Sequence, residues 1–108
     1  MRRGQIVVAA VSGDYGKPRP FLVVQSTETS DLPSVILCPI TSDVQEDLTL
    51  YRVTMEVGGR TGLKIRSQVM VDKITTVPLR RISRTIGEAD EDTMALVTRA
   101  LAILLGLG

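Results

Sequence analysis

The chain of 108 residues contains no histidine, no tryptophan and a single cysteine. Without histidine, acid-base or phosphate chemistry must be carried by arginine, lysine, carboxylates or hydroxyls. Cys38 alone cannot form an intramolecular disulfide, and the chain offers no cysteine and histidine pattern for a zinc or iron site. We therefore expect no metal and no cofactor, and we expect Cys38 to be a small core residue rather than a reactive thiol.

Aromatic residues and net charge are also scarce. With one Phe and two Tyr, the core must be built from Val, Ile and Leu. Thirteen basic residues stand against 12 acidic ones, so any nucleic-acid contact must be local. The length predicts one domain, residues 1–108. The apolar runs are too short for a signal peptide or a bilayer span, which predicts a cytoplasmic protein.

Arg19 stands between Pro18 and Pro20, at the end of a Gly-rich and Pro-rich stretch, residues 13–20. Proline fixes its own φ and biases the preceding residue toward extended conformations. The guanidinium of Arg19 is therefore expected to be held stiffly where a loop becomes a strand. This makes Arg19 the first candidate for a functional side chain.

Short apolar runs separated by turn signals predict strands over most of the chain. The first three runs are residues 5–11, 20–25 and 34–40, and residues 51–57 and 63–71 alternate with the period of half-buried strands. A further strand is expected around Ile82 and Ile86. Asp90 then predicts the N-cap of a helix that reaches Leu105.

The predicted helix has two apolar stripes. The first stripe contains Met94, Val97, Leu101, Leu104 and Leu105, and the second contains Leu96, Ala100 and Ile103. A helix with two apolar faces needs two partners. The first stripe is expected to pack on the sheet, and the second either against another layer of the same domain or against a second subunit.

Several short segments occur together in a fixed order. They are Arg-Gly-Gln-Ile-Val at 3–7, Arg-Pro-Phe-Leu-Val-Val at 19–24, Cys-Pro-Ile-Thr-Ser at 38–42, Gly-Leu at 62–63 through Ser-Gln-Val at 67–69, Asp-Lys-Ile-Thr-Thr-Val at 72–77, Ile-Gly at 86–87 and the leucine-rich helix. No single segment is specific, but the ordered set resembles the MazF/PemK family of toxin endoribonucleases over nearly the whole length. The resemblance implies a mainly β fold, a small, strongly bent SH3-like barrel of about five to seven strands with a C-terminal helix, working as a homodimer.

The resemblance also implies an activity. Family members cut single-stranded RNA without metal: the 2′-hydroxyl attacks its own phosphate and leaves a 2′,3′-cyclic phosphate and a 5′-hydroxyl. Cleavage of mRNA inhibits translation and growth, and a small, acidic, partly disordered antitoxin blocks the toxin. The implied catalytic residues are Arg19 and Thr41, with Ser42 and Asp14 as possible assistants. Because arginine is a poor base, we expect Arg19 to stabilise charge or to act as an acid, which leaves the base unassigned.

RNA contacts are expected on both sides of this pair. The candidates are Tyr15, Lys17, Arg52, Lys64, Arg66 and Gln68. Tyr15 either stacks on a base or fills its loop. The basic residues of the two alternating strands either line an RNA groove or form a solvated face. Some family members carry Arg and Asp where this chain has Ile65 and Ser67, so that subfamily's acid-base assignment does not transfer.

Two other functions are compatible with the same fold. A gyrase poison of the related CcdB type is one, but such poisons depend on a C-terminal tryptophan, which this chain lacks. An inactive family member that serves only as a binding module is the other. Incubation with RNA alone, and then with gyrase and plasmid, would distinguish these functions.

Overall fold

Seven strands and one α-helix form the architecture of this computed structural model, which describes residues 1–11 and 17–108. The strands are β1 (Gln5–Ala9), β2 (Arg19–Val23), β3 (Ser34–Thr41), β4 (Arg52–Met55), β5 (Ser67–Met70), β6 (Thr75–Pro78) and β7 (Ile82–Glu88), and the helix is α1 (Glu91–Leu104). Short 3₁₀ helices lie at Thr27–Thr29, Val71–Lys73 and Leu79–Arg81. The expected mainly β fold with a C-terminal helix is confirmed. No helix in the described ranges is long and apolar enough to cross a bilayer.

The strands pair antiparallel in the order β4-β5-β3-β2-β1-β7, and β6 pairs with β3. The path is not closed into a barrel, but its two ends approach each other. The amide of Glu88 in β7 donates to the carbonyl of Arg60 at 2.9 Å, and Arg60 follows β4. The sheet is therefore strongly bent, in agreement with the expected shape.

The three central strands are buried on both faces. One cluster, which α1 covers, contains Ile6, Leu22, Val24, Cys38, Ile40, Val97 and Ala100 among others. The second cluster contains Val7, Ala9, Phe21, Val23, Val35, Leu37 and Val77. Neighbouring residues on β1, β2 and β3 alternate between the clusters, which explains why these strands have continuous apolar runs.

Helix α1 begins where the sequence predicted. The carboxylate of Asp90 accepts a hydrogen bond from the amide of Thr93 at 2.8 Å and caps the first turn. Val97 and Ala100 are buried against the sheet. The two predicted stripes are therefore each only partly buried: Leu104 and Leu105 of the first stripe are exposed, and in the second stripe Leu96 is 51% and Ile103 43% exposed.

The predicted strand over residues 63–71 is shorter than expected. Only Ser67–Met70 forms β5, and Ile65, which the alternation placed inward, is 59% exposed. The chain bends at Lys64 and Ile65, and just before this bend Gly62 has a φ of +71° and lies against the carbonyl of Ile86. This left-handed residue turns the chain before β5 can begin. Strand β6, which lacks a long apolar run, was not predicted.

Candidate active site

Arg19 and Thr41 lie at adjacent strand ends. Phe21 is paired with Pro39, and the pairing of β2 and β3 continues through Val23 and Leu37. Arg19, the first residue of β2, and Thr41, the last residue of β3, each lie two residues beyond the Phe21–Pro39 pair, at the same end of the two strands. The sheet therefore brings together the two residues expected to be catalytic.

Both residues line a cleft of about 880 Å³. Its cations are Arg19, Arg80 and Arg81, and its hydroxyls belong to Thr41, Ser42, Ser67, Thr75 and Thr76. Apolar walls are supplied by residues such as Val11, Phe21, Ile65 and Met70. A cleft with several cations, several hydroxyls and apolar walls suits a polyanion that also carries flat bases.

Thr41 is held by the chain that follows it. Its hydroxyl oxygen accepts a hydrogen bond from the amide of Asp43 at 3.1 Å. The hydroxyl hydrogen can therefore be donated to another acceptor, such as a phosphate oxygen. Ser42 is exposed at the cleft beside it. The strand end thus offers two hydroxyl donors in the cleft that Arg19 also lines.

No carboxylate lines this cleft among residues 1–11 and 17–108. Asp14, the proposed acidic assistant, and Tyr15, the proposed stacking residue, lie outside the described residues. The side chains that the structure does place at the cleft can donate hydrogen bonds and stabilise negative charge, but none is a strong base. The cleft is thus electrostatically suited to a phosphate at which charge develops.

Arg80 and Arg81 are cleft residues that the sequence analysis missed as candidates. They lie in the 3₁₀ helix before β7, and Ala9 of β1 pairs with both Arg19 and Ile82. Arg19 and Ile82 therefore flank one residue, at about 10 Å from each other by two strand spacings. The Arg80, Arg81 and Arg84 cluster was visible in the sequence, but its distance along the chain from Arg19 concealed the shared cleft.

The expected basic face is largely neutralised. The guanidinium of Arg52 pairs with Asp72 at 3.0 Å, and its side chain is 11% exposed. Arg66 pairs with Glu46 at 2.9 Å and with Glu56 at 3.0 Å. Hydrogen bonds to Glu46 and then Glu56 raise the pKa of Arg66.

Lys64 and Lys17 are exposed, but neither lines the cleft. Of the three basic residues expected on this face, only Lys64 carries a charge that no ion pair with a described residue offsets. Arg52 and Arg66 are thus paired with carboxylates, and contact of these residues with RNA stays a prediction.

Gln68 is not a surface residue. It is 0% exposed, and its amide is used inside the protein, where Gln45 and Thr54 are its partners. Direct RNA contact by Gln68 is therefore corrected to a structural role. By contrast, Ile65 and Ser67, where the chain departs from some family members, both line the cleft.

The sequence matches the family of PemK-like, MazF-like toxins of type II toxin-antitoxin systems over residues 2–105. The chain belongs to this family. A probable endoribonuclease MazF of Mycolicibacterium smegmatis is 40% identical over 108 residues, covering 99% of this chain and 98% of the relative. The endoribonuclease EndoA of Bacillus subtilis is 28% identical over 112 residues, covering 99% and 96%. The expected toxin family and enzyme class, an endoribonuclease, are thereby confirmed.

Solved structures show the same fold. An endoribonuclease from a mycobacterial species, in complex with its cognate antitoxin, superposes with a TM-score of 0.84 at 24% identity, covering 100% of this chain and 97% of that one. MazF in a MazE-MazF complex from Deinococcus radiodurans superposes with a TM-score of 0.78 at 26% identity, covering 98% and 95%. The endoribonuclease relatives, rather than the shared fold, favour the RNA-cleaving class over the gyrase poison.

Proposed function

We propose that this toxin cleaves single-stranded RNA in the cleft between β2, β3 and the Leu79–Arg81 helix, with Arg19 and Thr41 as the catalytic residues. One observation supports the proposal: a proline-flanked arginine at the start of β2 and a threonine at the end of β3 line the same cleft, together with further cations and hydroxyls.

Each cleft residue contributes to the cleavage reaction through the hydrogen bonds that it can donate. The 2′-hydroxyl loses its proton as its oxygen bonds to the adjacent phosphorus, the P–O5′ bond breaks, and the leaving 5′-oxygen takes up one proton, which gives a 2′,3′-cyclic phosphate and a 5′-hydroxyl. Negative charge collects on the non-bridging oxygens, where the planar fork of Arg19 and the hydroxyl of Thr41 donate hydrogen bonds. Ser42 lies near enough along the chain to assist. Because a guanidinium is a poor base, Arg19 stabilises charge or supplies a proton to the leaving oxygen.

RNA is guided to the site by a few local charges. Arg80 and Arg81 are proposed to bind a backbone phosphate next to the scissile one, and Lys17 and Lys64 lie outside the cleft where flanking phosphates pass. Net charge is only +1, so the affinity rests on these local contacts. Tyr15 and Asp14 stay as proposals from the sequence, for base stacking and catalytic assistance.

The exposed surface of α1 supports a homodimer, and solved structures of relatives support an antitoxin as partner. Leu96 and Ile103, the two exposed residues of the second helical stripe, are proposed to be buried in a homodimer. An antitoxin with an acidic, partly disordered segment is proposed to occupy the arginine-lined cleft, because the relatives in two solved structures are bound to antitoxins. The protein acts in the cytoplasm, where mRNA is translated, and cleavage there inhibits growth.

The test is to map the products of RNA cleavage in EDTA. Purified protein is incubated with a long single-stranded transcript, and new 5′ ends are sequenced with and without prior phosphorylation by a kinase. We expect discrete cuts whose 5′ ends require phosphorylation, since they carry hydroxyls. A second RNA with a 2′-deoxynucleotide immediately 5′ of a mapped cut should resist cleavage at that position. Cleavage of the deoxy-substituted site, or 5′-phosphate ends, would contradict internal attack.

A further inference from the structure

Gln68 is the one polar side chain among the described residues that has no exposed surface at all. Burying an amide is unfavourable unless its donors and acceptor are paired. The amide of Gln68 is fully used: its Oε1 accepts from the amide of Gln45 at 2.9 Å, and its Nε2 donates to the carbonyl of Gln45 at 3.2 Å and to the hydroxyl of Thr54 at 3.1 Å. The side chain of Gln68 therefore forms hydrogen bonds with both the amide and the carbonyl of Gln45, as the backbone of a neighbouring strand would.

Gln45, the residue that Gln68 holds, belongs to the segment that follows β3. Residues 42–51 contain no strand, and Gln45 lies near the start of this segment. Backbone hydrogen bonds within the segment are local, such as the amide of Leu48 to the carbonyl of Gln45 at 3.3 Å, and at its far end the carbonyl of Tyr51 accepts from the amide of Val71 at 3.0 Å. The buried amide of Gln68 is thus an anchor that ties the start of the segment to the sheet.

This anchor is next to Thr41. Gln68 in β5 is the direct ladder partner of Thr41 in β3, and of Thr54 in β4. The hydroxyl of Thr41 is in turn oriented by the amide of Asp43, and Asp43 lies between Thr41 and the anchored Gln45. A change in the path of residues 42–45 would therefore move the donor that orients the Thr41 hydroxyl.

A second tie to the same segment is weaker. Arg66 pairs with Glu46 at 2.9 Å, but the two side chains are 42% and 72% exposed. Exposed ion pairs of this kind contribute little, because water and salt screen them. The Gln68 amide is shielded from water, so it dominates the position of the segment.

We propose that Gln68 is a positioning residue for the cleavage reaction: its buried amide fixes Gln45, and through residues 42–45 it holds Thr41 and Ser42 in the geometry that the scissile phosphate requires. The inference rests on the proposed function of Arg19 and Thr41. It replaces the direct RNA contact first expected of Gln68.

The chain supplies a matched control in Gln25. This second buried glutamine also pairs its amide with backbone, accepting from the amide of Ile36 at 2.9 Å and donating to the carbonyl of Thr29 at 2.8 Å. It lies near the other end of β2, about 20 Å from Arg19 along the strand. Gln68→Met and Gln25→Met remove the same groups at similar volume, so both are expected to lower the melting temperature to a comparable extent.

The experiment compares wild type, Q68M and Q25M with a long single-stranded transcript under single-turnover conditions. For Q68M we expect the rate at saturating protein to fall roughly 10- to 100-fold, because small displacements of catalytic groups are costly. The protein concentration that gives half of the maximal rate should change less than about twofold. Q25M should keep the wild-type rate within about twofold. Gln68→Asn, whose amide is one methylene too short to reach Gln45, keeps the test valid if Q68M does not fold.

Hydrogen exchange gives a readout that does not depend on activity. In Q68M or Q68N, the amides of Asp43 and Gln45 should exchange faster than in wild type, while Q25M leaves them protected. If wild type cuts RNA and folded Q68M and Q68N cut at its rate, the positioning role is wrong and the proposed function stands. Equal losses in Q68M and Q25M would show a general stability effect and overturn it too. If wild type cuts no RNA, the proposed function fails, and the positioning role fails with it.

Discussion

The conformation of Arg19 is restricted by its neighbours along the chain, and this is why Arg19 could be predicted from the sequence as a functional residue. Pro18 and Pro20 restrict the backbone on either side, and β2 begins at Arg19 itself. Arg52 and Arg66 gave no such local signal. Asp72 is 20 residues from Arg52, and Glu46 is 20 residues from Arg66, so their ion pairs depend on tertiary contacts that a strand pattern does not contain.

Cys38 is predicted to be inert in the folded protein. Its side chain is fully buried in β3, and burial is the main reason why the pKa of its thiol is raised to about 12, with Arg3 lowering it and Asp72 raising it to smaller extents. At pH 8 a thiol reagent should therefore label none of the native protein and one equivalent of protein unfolded in guanidinium. Rapid labelling without denaturant would contradict the buried position.

The same thiol makes stability depend on alkaline pH. Above about pH 8.5 the unfolded thiol loses its proton, whereas the folded thiol keeps it until about pH 12. The unfolded state is thereby favoured as the pH rises through this window, by about 1.4 kcal/mol per pH unit. Cys38→Ala has no titratable thiol. In urea titrations its free energy of unfolding should therefore fall less than that of wild type between pH 9 and pH 11. Parallel pH profiles for the two proteins would contradict this account.

Helix α1 is the element that the sequence described best, because its signals are local. The Asp90 cap, the acidic first turn and the apolar spacing of Val97 and Leu101 all act within a few residues. Strand β5 was described less well. The alternation continued through residues 63–66, but the chain bends at Lys64 and Ile65 and β5 begins only at Ser67. Gly62, just before this bend, lies against the carbonyl of Ile86, and an alternating pattern of residues does not report a contact between such distant parts of the chain.

The Asp90 cap should stabilise the protein only where its carboxylate is ionised. Hydrogen bonds from the hydroxyl and the amide of Thr93 lower the pKa of Asp90. Its contribution is therefore complete above the unfolded pKa of about 3.9 and is lost as the pH falls through the lower pKa of the folded state. Asp90→Ala should lower the melting temperature at pH 7, and the difference from wild type should shrink below about pH 4.

Asp90→Asn is the matched control for this cap. Asparagine is also a good N-cap but does not titrate, so its melting temperature should lie nearer that of wild type than that of Asp90→Ala at pH 7. An Asp90→Ala protein as stable as wild type at neutral pH would show that the cap contributes nothing.

At the scale of the whole molecule, the bent sheet depends on close approach between its two ends. The strand order and the seven strands agree with the bent fold expected from the resemblance, whereas the meeting of residues 60–62 with β7 was found only in the structure. That residues 1–108 form one domain stays a prediction. The cleft also depends on the whole fold, because residues from β2, β3 and the Leu79–Arg81 helix meet in it only when the sheet bends.

Gly87 is predicted to be essential to this approach. A Cβ on Gly87 would lie 2.2 Å from the carbonyl oxygen of Arg60 and 2.3 Å from the carbonyl of Thr61. Since backbone must move to admit it, Gly87→Ala should lower the free energy of unfolding by about 3 kcal/mol. Gly108→Ala, where a Cβ would meet nothing within 4 Å, should be neutral in the same urea titration. Equal stabilities for both variants would contradict the close contact.

The exposed stripe of α1 predicts the state of assembly. The double substitution Leu96→Glu and Ile103→Glu places a charge on each of the two exposed residues of the second stripe. Sedimentation should show the wild type as a dimer and the double variant as a monomer, since charged residues are unfavourable at an interface core. Leu32→Glu, at a residue that is 48% exposed outside α1, should leave the dimer intact. A double variant that still sediments as a dimer would place the interface elsewhere.

The central claim is that Arg19 acts directly on the scissile phosphate, and the most direct measurement is the single-turnover cleavage rate of a long single-stranded transcript by Arg19→Ala protein. Arg84→Ala is the matched control, because Arg84 is exposed on β7 and does not line the cleft. Loss of a donor to developing charge should lower the rate at saturating protein by at least about 100-fold. Arg84→Ala should stay within about twofold of wild type. A folded Arg19→Ala protein that cleaves at the wild-type rate would contradict the account.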